Sequence, residues 1–267
     1  VDVPDGVTNI GRSAFAVCVS LESVTLPDSL TTIGPLAFED CGSLTSIEVP
    51  DGVTTIGEAS FYGCRSLADV TLPNSLTTID EMTFMDCTSL TSIEIPRGVT
   101  EIGNLAFFGC TGLTSRVVIP DSVTNIEWDA FARCTGLKEV WLPRDLEERF
   151  YPDWVFGGCD EALALNYYDA LYTVAFRSED GTEEQRLCPM GVALGDLPTP
   201  VRAGAVFTGW WTADGEPVST ETVVTGDMTL EARWHVVAAP EIIPMNCNGA
   251  TFWDRCYVEI MCKDRDA

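Results

Sequence analysis

Seven cysteines, at positions 18, 41, 64, 87, 110, 134 and 159, are separated by steps of 23, 23, 23, 23, 24 and 25 residues. A column of thiols could bridge in pairs, hold a soft metal or cycle between redox states. A metal site needs two to four converging thiolates, commonly from C-x-x-C clips, and the sequence contains no CxxC. If the cysteines occupy successive coils of a stack, their Cα atoms stand about 5 Å apart, within disulfide range. Their Cβ vectors would then run parallel, which opposes bridging. Buried, reduced thiols in small apolar slots are the expectation. Cys188, Cys247, Cys256 and Cys262 lie off the beat, where a Cys247–Cys256 or a Cys256–Cys262 bridge fits the spacing equally well.

Carboxylates are the second candidate chemistry. Prolines 4, 27, 50, 73, 96, 120 and 143 keep the same beat, and two residues before them stand Asp2, Thr25, Glu48, Thr71, Glu94, Val118 and Trp141. Four residues before the later prolines stand Ser23, Ser46, Asp69, Ser92, Arg116 and Glu139. Glu48 and Glu94, two coils apart, would be about 10 Å from one another, the upper edge for an inverting glycosidase pair, with Asp69 between them. No aromatic residue flanks that row to hold a sugar, and an exposed flat face offers no burial to raise a carboxyl pKa. Catalysis is therefore not expected. The Asp5, Asp28, Asp51 and Asp121 ladder after the prolines is turn chemistry, since neither a G-x-D nonapeptide nor an EF-hand loop accompanies it. His235 is the single histidine, which excludes a multi-His metal centre and leaves one residue for any Ser-His-Asp triad. Neither a metal nor a cofactor is expected.

The elements that would carry these side chains follow from one coil, LTSIEVPDGVTTIGEASFYGC, residues 44–64. SIEVP alternates outward and inward positions, the signature of a short strand. Its inward columns, Val24, Ile47, Val70, Ile93, Val117 and Val140 together with Val3, Leu26, Val49, Leu72, Ile95, Ile119 and Leu142, are aliphatic throughout. Proline ends the strand and Asp-Gly, Asp-Ser or Asn-Ser turns the chain. VTTIG is a second extended piece, with Val53 and Ile56 inward. EASFYGC is read as one helical turn that buries Phe61 and Cys64. A unit of this size cannot bury its own apolar face, whereas stacked copies can, so a parallel solenoid of about seven coils follows. Coils with PDS or PNS alternate with coils with PDG or PRG, which implies a duplicated unit of 46 residues. Residues 145–168 depart from the pattern and are expected to close the solenoid, and the start at VDVP, in mid-coil, suggests a piece of a longer protein.

These coils resemble the BspA-like class of leucine-rich repeat, with its buried aromatic, cysteine, LTSV or LTSI and following IP, over residues 1–167. After Tyr172 the beat stops. GDLPTPVRAGAVFTGWW and TGDMTLEARW resemble the Listeria–Bacteroides, or internalin B-type, repeat through Gly204, Phe207, Gly209, Trp210, Leu230, Ala232 and Trp234. Ala205 departs from it, standing where an aromatic is usual. AAPEIIPMNCNGATFWDRCYVEIMC resembles the opening strands of a chitobiase C-terminal-like module. The resemblances imply a mainly β chain: a solenoid over 1–168, a small β-grasp-like domain over 169–235 and a truncated immunoglobulin-like segment over 236–267. They also imply a bacterial cell-surface or secreted protein.

The charge balance, 15 basic against 41 acidic residues and a net −26, repels phosphate backbones and anionic membranes, so nucleic acid is excluded as a partner. No run of roughly 18 apolar residues exists to insert in a bilayer. The expected function is adhesin-type binding of an extracellular protein, from a host, a matrix or a neighbouring cell, or of a glycan. The alternative is a structural spacer for a larger surface protein. The early coils repeat Ser and Thr, whereas Arg116, Val118, Lys138, Glu139 and Trp141 offer the mixture of charge, aliphatic and indole that anchors interfaces. They are the leading candidate contacts, with the central acidic Glu48, Asp69 and Glu94 as the second set.

Overall fold

The structure is a computed structural model that describes residues 1–114, 116–147, 151–236, 241–244 and 258–261. In chain order the solenoid strands are β1 (Asn9–Ile10), β2 (Thr32–Ile33), β3 (Ser46–Glu48), β4 (Thr55–Ile56), β5 (Asp69–Thr71), β6 (Thr78–Ile79), β7 (Glu101–Ile102), β8 (Val117–Val118), β9 (Asn125–Ile126), β10 (Glu139–Pro143) and β11 (Ala164–Tyr168). All pair in parallel, one coil to the next. VTTIG and its equivalents form the sheets β1-β2-β4 and β6-β7-β9, with Ile10, Ile33 and Ile56 aligned in the first and Ile79, Ile102 and Ile126 in the second. The proline-side strands form β3-β5 and β8-β10-β11, so Ile47 lies beside Val70 and Val117 beside Val140.

The proline-side ladder is less continuous than alternation predicts. Residues 91–95 form no strand and residues 22–26 hold only the Asp2–Thr25 bridge. Single amides still join those coils, as from Thr91 to the Ala68 carbonyl and from Thr45 to that of Glu22. Val24 and Ile47 both pack into the common core, as the inward column requires.

At EASFYGC the structure departs from the helical turn expected there. The amides of Ser60, Tyr62 and Cys64 donate three residues back, to Gly57, Ala59 and Phe61. Those of Ala59, Phe61 and Gly63 donate instead to Glu81, Thr83 and Met85 of the following coil. A helix would use its amides within the segment and leave none for a neighbour. Left-handed residues release alternate amides: Ala59 has φ 53° and Gly63 φ 71°, and the same two positions recur as Leu36 with Asp40 and Met82 with Asp86. Each non-glycine residue there costs about 1–2 kcal/mol, which the inter-coil bonds and the buried phenylalanine must offset.

Inside these turns the aromatic column is a stack. Phe15, Phe38, Phe61 and Phe84 follow at centroid spacings of 5.1, 5.4 and 5.4 Å with planes within 4°. Phe107, Phe131 and Phe156 continue it at 5.4, 4.9 and 5.6 Å.

The two-coil alternation has a steric cause. A Cβ on Gly52 would lie 2.9 Å from the Leu30 carbonyl oxygen, and one on Gly98 would lie 2.9 Å from that of Leu76. In the alternate coils Ser29, Ser75 and Ser122 donate to the carbonyls of Val7, Val53 and Val99 at 2.9, 2.5 and 2.6 Å. The glycine coil must come close and the serine coil fastens what lies before it.

The chain divides into two compact units, residues 1–172 with 187–191, and residues 173–186 with 192–267. The later strands are β12 (Leu171–Arg177), β13 (Glu183–Pro189), β14 (Ala205–Thr212), β15 (Pro217–Val218) and β16 (Met228–Val236), in the sheet order β13-β12-β16-β14-β15. Trp210 is 2% exposed, its ring edge-on to Phe176 and Phe207, and its indole N–H donates to the Pro198 carbonyl at 2.8 Å. A bulge interrupts the β14–β16 pairing between Phe207 and Gly209, where Gly209 takes φ 134°. Most of the segment read as chitobiase-like, including Cys247, Cys256 and Cys262, lies outside the described residues. Within it β17 (Glu241–Pro244) pairs antiparallel with β18 (Val258–Met261).

Candidate functional site

The cysteine column is structural. Cys18 is exposed, Cys41, Cys64, Cys87, Cys110 and Cys134 are buried, and all are free thiols. Each buried thiol donates to the phenylalanine carbonyl of the coil before it, Cys64 to Phe38 at 3.1 Å and Cys87 to Phe61 at 3.2 Å. Burial, reinforced by neighbouring thiols, pushes the Cys64 pKa up to about 12, and burial pushes that of Cys41 up to about 11. Such thiols stay protonated and are poor nucleophiles. Among the described residues no group of three or more His, Cys, Asp and Glu side chains is placed to hold a metal ion.

The outward face of the proline-side strands divides into two parts. Around Glu48, Asp69 and Glu94 the face is open, with all three side chains exposed and the backbone of the first two fixed by the β3–β5 pairing. The late-coil residues are differently placed. Val118 is only 8% exposed and clusters with Tyr168 and Leu171, with Trp141 packed against them. The Tyr168 hydroxyl donates to the Ile119 carbonyl at 2.6 Å and the Arg97 guanidinium to that of Leu171 at 2.7 Å, which fastens this covering segment. The Trp141 indole nitrogen is buried with no hydrogen-bond partner among the described residues. Val118 is thus nearly covered and Trp141 half-buried, both packed against this covering segment. Among the remaining late-coil candidates, Lys138 pairs with Asp160, whose carboxyl that pairing holds below its ordinary pKa. Glu139 accepts from Asn166 at 3.3 Å, and Arg116 is half-buried.

The exposed aromatic residues stand elsewhere. Trp128 is 63% exposed, Tyr151 63% and Trp154 50%. Trp154, in the short helix α1 (Pro152–Val155), has its ring 4.8 Å from both Trp128 and Tyr151. The three rings line a groove of about 480 Å³ together with Asn104, Asn125 and Glu127. The Asn104 amide group donates to the Trp128 carbonyl at 2.9 Å and its backbone N–H to Glu127 at 3.0 Å; the Asn125 side chain donates to Glu101 at 3.2 Å. Sequence reading passed over this cluster. Its signal was available, because Trp128 occupies the position of Glu58, Glu81 and Asn104 in earlier coils, and an indole replacing polar residues on an outward column has no core to serve.

Comparison with known proteins gives two family matches. The profile of the BspA type leucine-rich repeat region matches residues 1–114 and 100–174, in six copies. That of the Listeria–Bacteroides repeat domain matches residues 172–233. Both resemblances carried by the coil pattern and by the LPTP and GW core are thereby borne out. Among solved structures, a leucine-rich repeat protein from Bacteroides ovatus is 27% identical, covering 63% of this chain and 56% of its own, at a TM-score of 0.44. A leucine-rich cell surface protein from Faecalibacterium prausnitzii is 27% identical, covering 63% and 59%, at 0.35. A leucine-rich repeat protein from T. pallidum is 30% identical, covering 63% and 72%, at 0.38. The chain thus spans less than two thirds of the first two relatives. No curated protein matches it.

Proposed function

Because the chain belongs to the BspA type leucine-rich repeat family through residues 1–174, we propose that it is a non-catalytic, adhesin-type binder of extracellular protein, displayed on or secreted from a bacterial cell. Both of its repeat types are typical of bacterial surface proteins, and repeat solenoids present extended surfaces suited to protein partners. Among the described residues no helix is long and apolar enough to cross a membrane.

The observation that carries the reading is the open strand face. Glu48 and Asp69 project from neighbouring coils held in parallel register, with Glu94 exposed two coils beyond Glu48. A backbone fixed at coil spacing gives a partner a repeated pattern to match without ordering the main chain. In this proposal Glu48, Asp69 and Glu94 make the contacts, and Arg116, Lys138 and Glu139 border them. The net charge of −26 favours a basic partner and salt-sensitive capture.

The test is a surface-binding assay of this chain against immobilised extracellular-matrix and host-cell surface proteins. Saturable binding that the combined Glu48→Gln, Asp69→Asn and Glu94→Gln variant loses, with unchanged circular dichroism, supports the reading. Binding unaffected by those changes removes the contacts from this face. Failure to bind any of the proteins favours the spacer.

A further inference from the structure

The groove beside Trp128 has no place in the strand-face reading, yet its chemistry is the more specific. Trp128, Tyr151 and Trp154 form one exposed aromatic group, and Glu127 is the one charged residue among the described residues that line the groove. The ring arrangement constrains what can bind. The Trp154 ring lies 4.8 Å from both Trp128 and Tyr151, with planes tilted by 41° to the first and 28° to the second. Rings spent on one another do not form the flat, spaced platform along which a glycan chain would lay successive sugars. What remains is the exposed surface of Trp128 and of Tyr151, with a carboxylate near the first.

A flat cation suits that remainder. An arginine guanidinium stacks on an aromatic face while its N–H groups reach a carboxylate or amide oxygen at the edge. The chain uses the same pairing on itself. Arg133 lies over Phe108 at 5.2 Å, Arg186 over Phe176 at 5.3 Å, Arg202 over Trp234 at 5.9 Å and Arg233 over Trp211 at 4.0 Å. Among the described residues no arginine or lysine covers Trp128, Tyr151 or Trp154. The groove is half-open, with a volume of about 480 Å³, and the net charge of −26 draws cations toward the surface.

We propose that this groove is a recognition site for an arginine side chain presented by an extended peptide segment of a protein partner, with the guanidinium on Trp128 and Glu127 as its counter-charge. Asn104 and Asn125 take the hydrogen bonds of the flanking peptide, their amides already oriented by Trp128 and Glu101. The proposal rests on the solenoid being a protein binder but uses a different surface, so the two can fail separately.

The test is titration of the whole chain with an acetylated Gly-Arg-Gly-Arg-Gly amide, followed by the indole N–H signals in two-dimensional NMR. The Lys, citrulline and Glu counterparts and a neutral cello-oligosaccharide serve as the other probes. The Arg peptide should shift the Trp128 signal and weaken about tenfold on replacing Trp128 by Ala, and severalfold with Glu127→Gln. Lys should bind more weakly and Glu not at all. Addition of salt should weaken the Arg complex. The strand-face variant should bind the Arg peptide unchanged, which separates this site from that one. Equal binding of citrulline would overturn the cation requirement, and binding of the oligosaccharide in place of the Arg peptide would make the groove a glycan site. No shift with any probe would remove the site. Because Glu127→Gln leaves the rings in place, it keeps the outcome readable even if removal of an indole loosens α1.

Discussion

The thiol of Cys64 donates to the carbonyl of Phe38 in the preceding coil, at 3.1 Å, while the Cys41 amide donates to the same oxygen at 3.2 Å. One carbonyl thereby closes its own turn and receives the next coil. The cysteine at this position is thus chosen for two properties together, a small apolar volume and a weak donor.

Replacing Cys64 by Ser keeps a donor for that carbonyl, so the cost should be held to about 1–2 kcal/mol, the penalty of a hydroxyl in an apolar slot with a partner. Replacing it by Leu must spread the column between Cys41 and Cys87 and should cost more, about 3 kcal/mol. Urea denaturation of the two variants checks the order. A Ser variant less stable than the Leu variant would show that apolarity alone selects the residue.

The buried thiols also set a pH dependence. Their pKa values are raised above the ordinary 9.0 on folding, to about 11 at Cys41 and about 12 at Cys64, by burial first. The folded chain therefore holds protons that the unfolded chain releases. Stability from this source is complete below pH 9 and falls as pH rises from 9 toward 11–12. A fully protected thiol gives a slope of about 1.4 kcal/mol per pH unit in that window. Denaturation midpoints measured under reducing conditions at neutral pH and above pH 9 should show the loss, and Cys64→Ser should reduce it. A maleimide applied at neutral pH should label Cys18 and spare Cys87 until the chain unfolds.

Glycine substitutions should separate by coil contact. Gly52→Ala brings a methyl to 2.9 Å from the Leu30 oxygen and should cost about 2 kcal/mol. Gly42→Ala meets nothing within 4 Å and should be neutral within about 0.5 kcal/mol. Ser75→Ala, which deletes the donor to Val53, should cost about 1 kcal/mol. Thermal melts of the three variants distinguish these values; a neutral Gly52→Ala would mean that the coils can separate without penalty.

Trp141 should behave as a packing residue. Trp141→Ala strips the Val118, Tyr168 and Leu171 cluster and should destabilise by about 2–3 kcal/mol. Trp141→Phe retains a ring and removes the unpartnered buried indole N–H, so it should cost far less than Ala. Chemical denaturation compares them, and an Ala variant of unchanged stability would return Trp141 to the surface.

The coil was legible because the same residue type recurs at a fixed interval, so Phe38, Phe61 and Phe84 or Ile33, Ile56 and Ile79 declare their inward direction by repetition. The turn that carries them was not. Its first left-handed position is held by Leu36, Ala59, Met82 and Leu105, none of which signals that backbone, whereas the second, at Asp40, Gly63, Asp86 and Gly109, carries residues that favour it. The neighbouring coil imposes the conformation by accepting the freed amides, a cause that lies outside the segment. The same limit applies to the candidate contacts. Glu48 and Asp69 could be placed outward by alternation alone, whereas the burial of Val118 depends on Tyr168, 50 residues away in sequence. Trp128 broke a column visibly, and its meaning needed only the question of what else stands at that position.

The coil-to-coil hydrogen bonds described above, such as those from Ala59, Phe61 and Gly63, run along the axis of the stack. Tension applied along that axis loads them as a zipper, row by row, and spares no bond to share the load across the whole solenoid. A coil that yields would convert a rise of about 5 Å into 23 residues of free chain, up to about 80 Å long. Stretched along its axis, the solenoid would therefore lengthen in steps, one coil at a time.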